Sequence, residues 1–288
     1  MTKLNLSKSF YSGCSGLVLP MPKYKFPEEF QKSSRLTYYS TLLNSIEINR
    51  SFYALPNGKT VAKWSNEVPE YFTFTFKLWK EITHAKGLQF QGSDVKNFIN
   101  AIDNVGDKKG CLLIQFPASV KDESLHRLQD LLHTIQTNTV TSEWKLAIEF
   151  RDRSWYNSNT YDVVNHHDAT IVVHDKSRAV SPHITTSALT VYLRFHGPQG
   201  DYRGTYTDSF LYEYATYIRE WLAEGSPSLR ISTTQWGAPS IIYRRLIDMS
   251  GDNSIIMMHA IPSVKPTIYL IIFLKSPEHS VRLSTPPG

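Results

Sequence analysis

The hydrophobic positions along the chain follow two periods that alternate from one segment to the next. Short runs that are apolar throughout, or at every second residue, are typical of β-strands. These runs are SFYSGCS, NSIEIN, YFTFTFK, GCLLIQF, WKLAIEF, ATIVVHD and LTVYLRFHG. Longer stretches repeat their apolar residues at i, i+3 and i+4, which is typical of amphipathic helices. These stretches are FPEEFQKSSRLTYYSTLL, SDVKNFINAIDNVG, DESLHRLQDLLHTIQ and SFLYEYATYIREWLAEG.

The alternation of strand and helix predicts an α/β fold on a parallel sheet. Each crossover helix returns the chain to begin the next strand in the same direction. Seven such units and a candidate eighth favour a closed TIM-type (β/α) barrel over an open, doubly wound sheet. No glycine-rich dinucleotide or phosphate-binding loop follows any of the strands, which weakens the open nucleotide-binding alternative.

Polar residues occupy one face of each predicted strand near its C-terminal end. In LAIEFRDRSW, the apolar residues of the strand alternate with Glu149 and Arg151. Because successive strand side chains point to opposite faces, we expect the apolar set under the helices and the polar set inside the barrel. Active sites of TIM barrels lie at the C-terminal ends of the strands. The residues expected to converge in one mouth are Glu47, Asn49, Lys77, Gln115, Glu149, Arg151, His174, Arg194 and His196.

The chemistry of these residue types gives each one a candidate role. Carboxylates and imidazoles suit acid–base work, so the candidate catalytic residues are Glu47, Glu149, His196 and His84, the last on a predicted loop. Amides, cations and aromatic rings suit ligand binding, so the candidate substrate-binding residues are Asn49, Lys77, Gln115, Arg151, His174, Arg194, Tyr202 and Tyr206. Glu149 and Arg151 could instead form a structural ion pair, and Glu47 and Asn49 could fill the barrel with hydrogen bonds.

The same stretches carry a family resemblance. SIEINRSFYALP, Trp64, FTFTFKLWKEITH, LLIQFP, AIEFRDRSW and YLRFHG followed by YRGTY resemble the ordered motifs of the YecE-like proteins, a family of unknown function. The resemblance covers residues 13–221. It implies a TIM barrel with a polar mouth and supplies no reaction, so function has to be argued from the site.

The C-terminal part departs from that family, whose last strand reads roughly YFNNT followed by Gly and Ala. Here residues 230–240 read RISTTQWGAPS. Codons can be chosen for residues 230–239 that, when read in the frame that begins at the third base of the first codon, encode YFNNTMGSA. We therefore interpret residues 1–230 as the barrel domain and residues 231–288 as an atypical tail produced by a one-base frame slip. A diverged extension is the alternative. On either interpretation, we expect the eighth βα unit to be altered or missing.

Composition and charge indicate where the protein is located and which partners it could bind. Cys14 and Cys111 are the only cysteines and have no metal-ligand spacing, which fits a reducing, cytoplasmic location. No apolar leader or membrane-spanning run is evident. Of the 31 Lys and Arg and 26 Asp and Glu residues, six and three lie in residues 229–288, leaving 25 against 23 in residues 1–228. The overall charge of +5 therefore gives weak support to nucleic-acid binding.

Three classes of function stay open. The first is an enzyme, of hydrolase or isomerase type, that acts on a small anionic substrate such as a phosphorylated molecule, because cations and carboxylates share the mouth. The second is a metal-dependent nuclease or DNA-repair protein. Its divalent metal would have to be assembled across strands, since no close spacing links His84, His174 and His196. The third is a noncatalytic small-molecule binder. The oligomeric state is not indicated.

Overall fold

The computed structural model describes residues 10–19, 21–138, 144–176, 181–182, 186, 188, 190–199, 204–223 and 228–233. The strands are β1 (Phe10–Ser15), β2 (Ser45–Ile48), β3 (Thr73–Lys77), β4 (Lys109–Gln115), β5 (Lys145–Glu149), β6 (Ala169–Ile171), β7 (Val173–His174), β8 (Thr190–Phe195) and β9 (Ser228–Thr233). The α-helices are α1 (Arg35–Tyr39), α2 (Arg50–Tyr53), α3 (Gly58–Asn66), α4 (Lys80–Thr83), α5 (Gly92–Ile102), α6 (Leu125–Asn138), α7 (Ser158–His166) and α8 (Asp208–Ala223).

All the strand pairs are parallel, and their order closes a barrel. Along the sheet the order is β6-β5-β4-β3-β2-β1-β9-β8-β7. The strands at the two ends, β6 and β7, are separated in the chain by Val172 alone. Both ends of the sheet are therefore pieces of one interrupted strand, which pairs with β5 through β6 and with β8 through β7. This arrangement is the predicted TIM-type barrel.

Two separate apolar clusters confirm the alternation of strand faces. The larger one lies between the sheet and the helices and includes Phe74 and Ile148, both fully buried. The smaller one consists of Cys111, Leu113, Ala147, Val172 and Tyr192, which fill the barrel interior below its mouth. Each fully buried large apolar side chain contributes about 1.5–3 kcal/mol, so the fold depends on keeping this two-residue period in register.

The first predicted helix is much shorter than its hydrophobic pattern suggested. Within residues 26–43, only Arg35–Tyr39 form an α-helix, and Glu28–Phe30 form a single 3-10 turn. Ser34 explains the late start, because its side chain accepts a hydrogen bond from the backbone N–H of Thr37 and caps the helix there. The predicted helices over residues 93–106, 122–136 and 209–225 correspond to α5, α6 and α8.

The strand of the eighth unit, which we expected to be altered or missing, is present and paired on both sides. β9 pairs in parallel with β1 from Phe10 to Cys14 and with β8 from Thr190 to Phe195. Backbone hydrogen bonds close a barrel whatever the side chains are, so the serines and threonines of this strand do not prevent pairing. Residues 234–288, including Pro239, lie outside the described residues. The frame-slip interpretation stays a prediction, and equal thermal midpoints for this chain and a frame-restored chain would count against it.

Close approach of β1 and β2 brings two strand ends together at the mouth. A Cβ atom at Gly13 would lie 2.2 Å from the Ser45 carbonyl oxygen, so only glycine allows this spacing. The approach places Ser15 directly beside Glu47 in the register. Within the described part of the chain, no helix is long and apolar enough to cross a membrane.

Candidate functional site

The predicted mouth residues meet at the C-terminal end of the barrel. Glu149 pairs in register with Gln115, and Arg194 pairs with His174. Directly paired residues of neighbouring strands point to the same face, so these four side chains all enter the barrel. The structure places the other predicted residues at or just beyond the same strand ends: Glu47, Asn49, Lys77, Arg151 and His196.

Arg194 and Glu47 form the centre of a buried ion-pair network. Arg194 Nε donates to Glu47 Oε2 at 3.0 Å and Nη2 donates to Oε1 at 2.7 Å, so one edge of the guanidinium group binds both carboxylate oxygens. The Tyr192 hydroxyl donates to Oε2 at 2.8 Å and the Ser15 hydroxyl to Oε1 at 2.6 Å. Burial alone would raise the pKa of Glu47, but Arg194 and these donors lower it.

Glu149 lies between two arginines. Its Oε2 accepts a hydrogen bond from Arg194 Nη1, and its Oε1 is in ion-pair contact with Arg151 Nη2. Burial of this fully buried carboxylate favours protonation, yet Arg194 and Arg151 outweigh burial and hold its pKa well below the usual range. Both carboxylates of the network are therefore ionised near neutral pH, and Arg194 is shared between them.

His196 connects this network to Asp175. Its Nδ1 lies 3.1 Å from Asp175 Oδ1, and its Nε2 lies 3.1 Å from Arg151 Nη2. A carboxylate can only accept and a guanidinium group can only donate, so the contacts fix the tautomer that carries its proton on Nδ1. Burial lowers the pKa of His196, with the hydrogen bond to Asp175 acting in the opposite direction. The neutral ring presents the Nε2 lone pair to Arg151.

His174 is held by the backbone on both sides of its ring. Nδ1 accepts a hydrogen bond from the backbone N–H of Lys176 at 3.2 Å, and Nε2 lies 3.0 Å from the Phe150 carbonyl oxygen, to which it must donate. Burial lowers the pKa of His174 to about 4. The ring is thus neutral near pH 7 with both nitrogens engaged, which favours a structural role over the predicted substrate contact.

Lys77 stands apart from the network. Its Nζ donates to Gln115 Oε1 at 2.8 Å and lies 4.0 Å from the centre of the Phe52 ring. Gln115 is itself fixed by a hydrogen bond from its Nε2 to the Phe116 carbonyl oxygen. Burial, followed by the nearby charge of Arg194, lowers the pKa of Lys77 to about 8. This amine is therefore easier to deprotonate than an ordinary lysine.

His84 and Asn49 lie at the edge of the same region. His84 is exposed on the loop after α4, and its ring centre is 4.9 Å from that of Phe52. Its Nδ1 contacts the Thr83 hydroxyl at 2.9 Å, and burial together with Lys77 lowers its pKa. Asn49 is half-buried and donates to the Ser15 hydroxyl, so it supports the Ser15–Glu47 hydrogen bond from outside.

The two tyrosines predicted to bind substrate have different outcomes. Tyr206 is buried, and its hydroxyl donates to Asp175 Oδ2 and accepts a hydrogen bond from the backbone N–H of Gly197 at 2.6 Å. These bonds make it a support for Asp175 and the strand end. Tyr202 lies outside the described residues, so its substrate-binding role stays a prediction.

Sequence reasoning missed three residues that complete the site. Ser15 and Tyr192 both donate to Glu47, and Asp175 orients His196. The alternation of strand faces could have identified Tyr192, which precedes Arg194 by two positions, and Ser15, the last residue of β1. Asp175 directly follows the strand-end residue His174, and alternation would send it to the opposite face, so that rule did not point to it.

Metal binding receives no support from the described part of the chain. Within it, no group of three or more His, Cys, Asp and Glu side chains is arranged to hold a metal ion. The mouth carboxylates are bound to arginines, and the two buried mouth histidines contact protein groups through both ring nitrogens. The donor set therefore does not fit a metal centre such as a nuclease would use.

Related structures have the same fold. A crystal structure of a DUF72 family protein from Enterococcus faecalis matches with a TM-score of 0.66 at 17% identity, covering 85% of this chain and 99% of that one. A DUF72 family protein from Thermotoga maritima matches with a TM-score of 0.59 at 22% identity, covering 85% of this chain and 100% of that one.

Sequence comparison leads to the same family. UPF0759 protein YunF of Bacillus subtilis is 26% identical over 145 residues, which are 48% of this chain and 49% of that protein. UPF0759 protein YecE of Escherichia coli is 23% identical over 141 residues, 49% of this chain and 50% of that protein. The chain thus spans about half the length of these relatives. The model of the family described as "Protein of unknown function DUF72" matches residues 11–257, and the chain belongs to that family.

Proposed function

We propose that the protein is an enzyme of hydrolase or isomerase type that binds a small anionic substrate, such as a phosphate ester, at the barrel mouth. One observation supports this most directly. Arg151 makes both of its contacts through Nη2, and its buried Nε has no hydrogen-bond partner among the described residues. A buried charged donor without an acceptor is costly, and an anionic oxygen would satisfy it. The side chain as a whole is 13% exposed, and a ligand would have to enter the mouth to reach the buried Nε.

The Arg194 network would serve as a fixed electrostatic frame in this enzyme. Glu47 and Glu149 have lowered pKa values and are bound to guanidinium donors, which makes both poor proton acceptors near neutral pH. Their charge holds Arg194 and Arg151 in place and offsets the cations of the mouth. A frame fixed before substrate arrives costs no reorganisation during the reaction. The predicted catalytic role of the two carboxylates is in this proposal an electrostatic one.

Proton transfer falls to Lys77 and His84. A general acid or base works best when its pKa is close to the operating pH. The pKa of Lys77 is lowered to about 8, and His84 is exposed and has a lowered pKa. Both side chains contact Phe52, Lys77 through its amine and His84 through its ring. They therefore lie on one side of the mouth, and Gln115 joins that side to Glu149 in the strand register.

The alternative functions have weaker support. A metal-dependent nuclease would need a ligand cluster that the described residues do not form, and residues 1–228 are nearly neutral overall. A noncatalytic binder would use Arg151 in the same way and would leave the lowered pKa of Lys77 without a use. Turnover therefore separates the enzyme from the binder, whereas anion binding does not.

The test compares Arg151→Ala with the matched control Arg153→Ala. Arg153 is exposed beyond the strand end and belongs to no part of the site. Isothermal titration with inorganic phosphate should show about 10–100-fold weaker binding for Arg151→Ala and no change for the control, because a charge-assisted hydrogen bond contributes about 1.5–3 kcal/mol. Turnover of a panel of phosphate esters should fall in parallel. Equal affinities for the two variants would remove Arg151 from the site, and binding without any turnover would indicate a binder.

A further inference from the structure

We propose that Lys77 forms a covalent imine with its substrate, which makes the substrate an aldehyde or ketone that also carries an anionic group. This inference rests on the proposed function, since Arg151 would hold the anionic group. It goes further by naming the reacting atom of the protein, Lys77 Nζ, and the functional group that it attacks.

The surroundings of Lys77 Nζ suit a nucleophile. Its contacts are one neutral acceptor, Gln115 Oε1, and the face of Phe52. Among the described residues, no carboxylate oxygen lies within ion-pair distance of it, in contrast to Arg194, which contacts Glu47 and Glu149. A lysine held in place without a counter-ion loses its proton more readily, and the neutral amine is the nucleophilic form.

The charged groups around Lys77 act on its pKa in both directions, and burial is the largest cause of the lowering. After burial, the cations Arg194 and Arg151 favour the neutral amine, while Glu149 and Glu47 favour the charged form. His84 also faces Lys77 from the loop after α4. With its pKa lowered from 10.5 to about 8, about a tenth of the amine is neutral at pH 7.

The covalent step balances without a redox partner. The Nζ lone pair attacks the carbonyl carbon, the carbonyl π electrons move to oxygen, and a proton passes from nitrogen to that oxygen to give a carbinolamine. Protonation of the hydroxyl group lets the nitrogen lone pair expel it as water, which gives the iminium cation directly; loss of the N–H proton from that cation gives the neutral imine. Hydrolysis reverses the sequence and restores the amine.

Two neighbours are suited to the iminium that results. Phe52 presents its ring face at 4.0 Å from the nitrogen, and Gln115 Oε1 accepts the remaining N–H. Aromatic faces attract cations, so the ring stabilises the charged iminium as it does the protonated amine. His84 contacts the same ring and can move the protons that the condensation requires.

Reductive trapping tests the inference on the unaltered protein. The protein is incubated at pH 7 with glyoxylate, an anionic aldehyde, and sodium cyanoborohydride, and peptide mass spectrometry then locates the carboxymethyl adduct. Lys77 should be labelled at least about tenfold faster than Lys80, a lysine three positions away that is exposed and paired with Glu81, since each unit of pKa depression raises the neutral fraction about tenfold. Glycolaldehyde, which is neutral, should show a smaller preference.

Two variants complete the design. Lys77→Arg keeps the positive charge and cannot form an imine, so labelling at position 77 should disappear while phosphate binding persists. Lys80→Arg should leave the labelling of Lys77 unchanged. Equal labelling of Lys77 and Lys80 in the unaltered protein would overturn the imine. If Arg151-dependent phosphate binding and turnover persisted in that case, the proposed function would stand without this inference; if both failed, neither would stand.

Discussion

The two sides of the barrel mouth handle buried charge in opposite ways. Around Arg194, each guanidinium nitrogen contacts a carboxylate oxygen of Glu47 or Glu149. Around Lys77, the partners are a neutral amide and an aromatic ring. An arginine cannot lose its proton and so needs carboxylates when buried, whereas a lysine can become neutral. The first side is therefore suited to holding a fixed shape, and the second to chemistry.

The comparison also separates the histidines. His174 and His196 belong to the buried side, where a backbone carbonyl and Asp175 fix their tautomers. His84 lies on the other side of the mouth, next to Lys77 and Phe52, which we call the open side because His84 is exposed there. From their position at the barrel mouth alone, all three histidines could be interpreted as acid–base residues. Among the described residues, both nitrogens of each buried ring have partners, whereas the exposed His84 makes a hydrogen bond through Nδ1 alone.

Removing Arg194 should have the largest effect. Arg194→Met leaves Glu47 and Glu149 buried without their shared cation, and breaking a buried ion pair from one side costs about 3–5 kcal/mol. Burial of the charged Lys77 amine costs free energy, and Lys77→Met removes that cost, so we expect no loss of stability, or a gain. Urea unfolding of both variants at pH 7 measures the difference. Equal destabilisation would mean that Lys77 also supports the fold and that the two sides do not differ.

The next largest effect should be a loss of stability in acid, which depends on the buried carboxylates Glu47 and Glu149. The pKa values of Glu47 and Glu149 are below the usual 4.5, so the folded state binds fewer protons than the unfolded state in this range. The stabilisation is complete above about pH 4.5 and is lost as pH falls through the lower folded values. The free energy of unfolding obtained from urea titrations should therefore decrease as pH falls below 4.5. The decrease should be smaller in Arg194→Met. If the free energy of unfolding of that variant fell with pH as steeply as that of the unaltered protein, other carboxylates would be the cause of the acid sensitivity.

The smallest of these effects should be a rise of stability at alkaline pH, which depends on Lys77 on the open side. The pKa of Lys77 is about 8 in the folded chain and 10.5 in its ordinary environment. Between these values the unfolded state binds more protons, so the contribution of Lys77 to stability rises with pH, by about 1–3 kcal/mol. Lys77→Met should lose this rise, and Lys80→Met should keep it. Urea unfolding from pH 7.5 to 10 measures it, and the same curve for both variants would contradict the lowered pKa.

The sequence by itself determined the barrel and the residues at its mouth. Both depend on local periods: apolar residues at every second position identify strands, and the same alternation sends Glu149 and Arg194 into the barrel. A polar residue at a strand end is visible without knowing its neighbours. Tyr192 follows the same alternation as Arg194, whereas Asp175, one position beyond His174, does not, and no local pattern singled either of them out.

Only the tertiary structure decided which charges are paired. Glu47 and Arg194 are 147 positions apart, and the contact between them depends on the order and register of β1, β2, β8 and β9. The same holds for Lys77: in the part of the chain that the structure describes, both buried glutamates contact Arg194, and Lys77 has no carboxylate within ion-pair distance. Barrel closure by Ser228–Thr233 was likewise a matter of backbone pairing, which does not depend on an apolar side-chain pattern. A residue's type and strand position fix where it points, but its pKa and partners depend on distances across the barrel that no local pattern encodes.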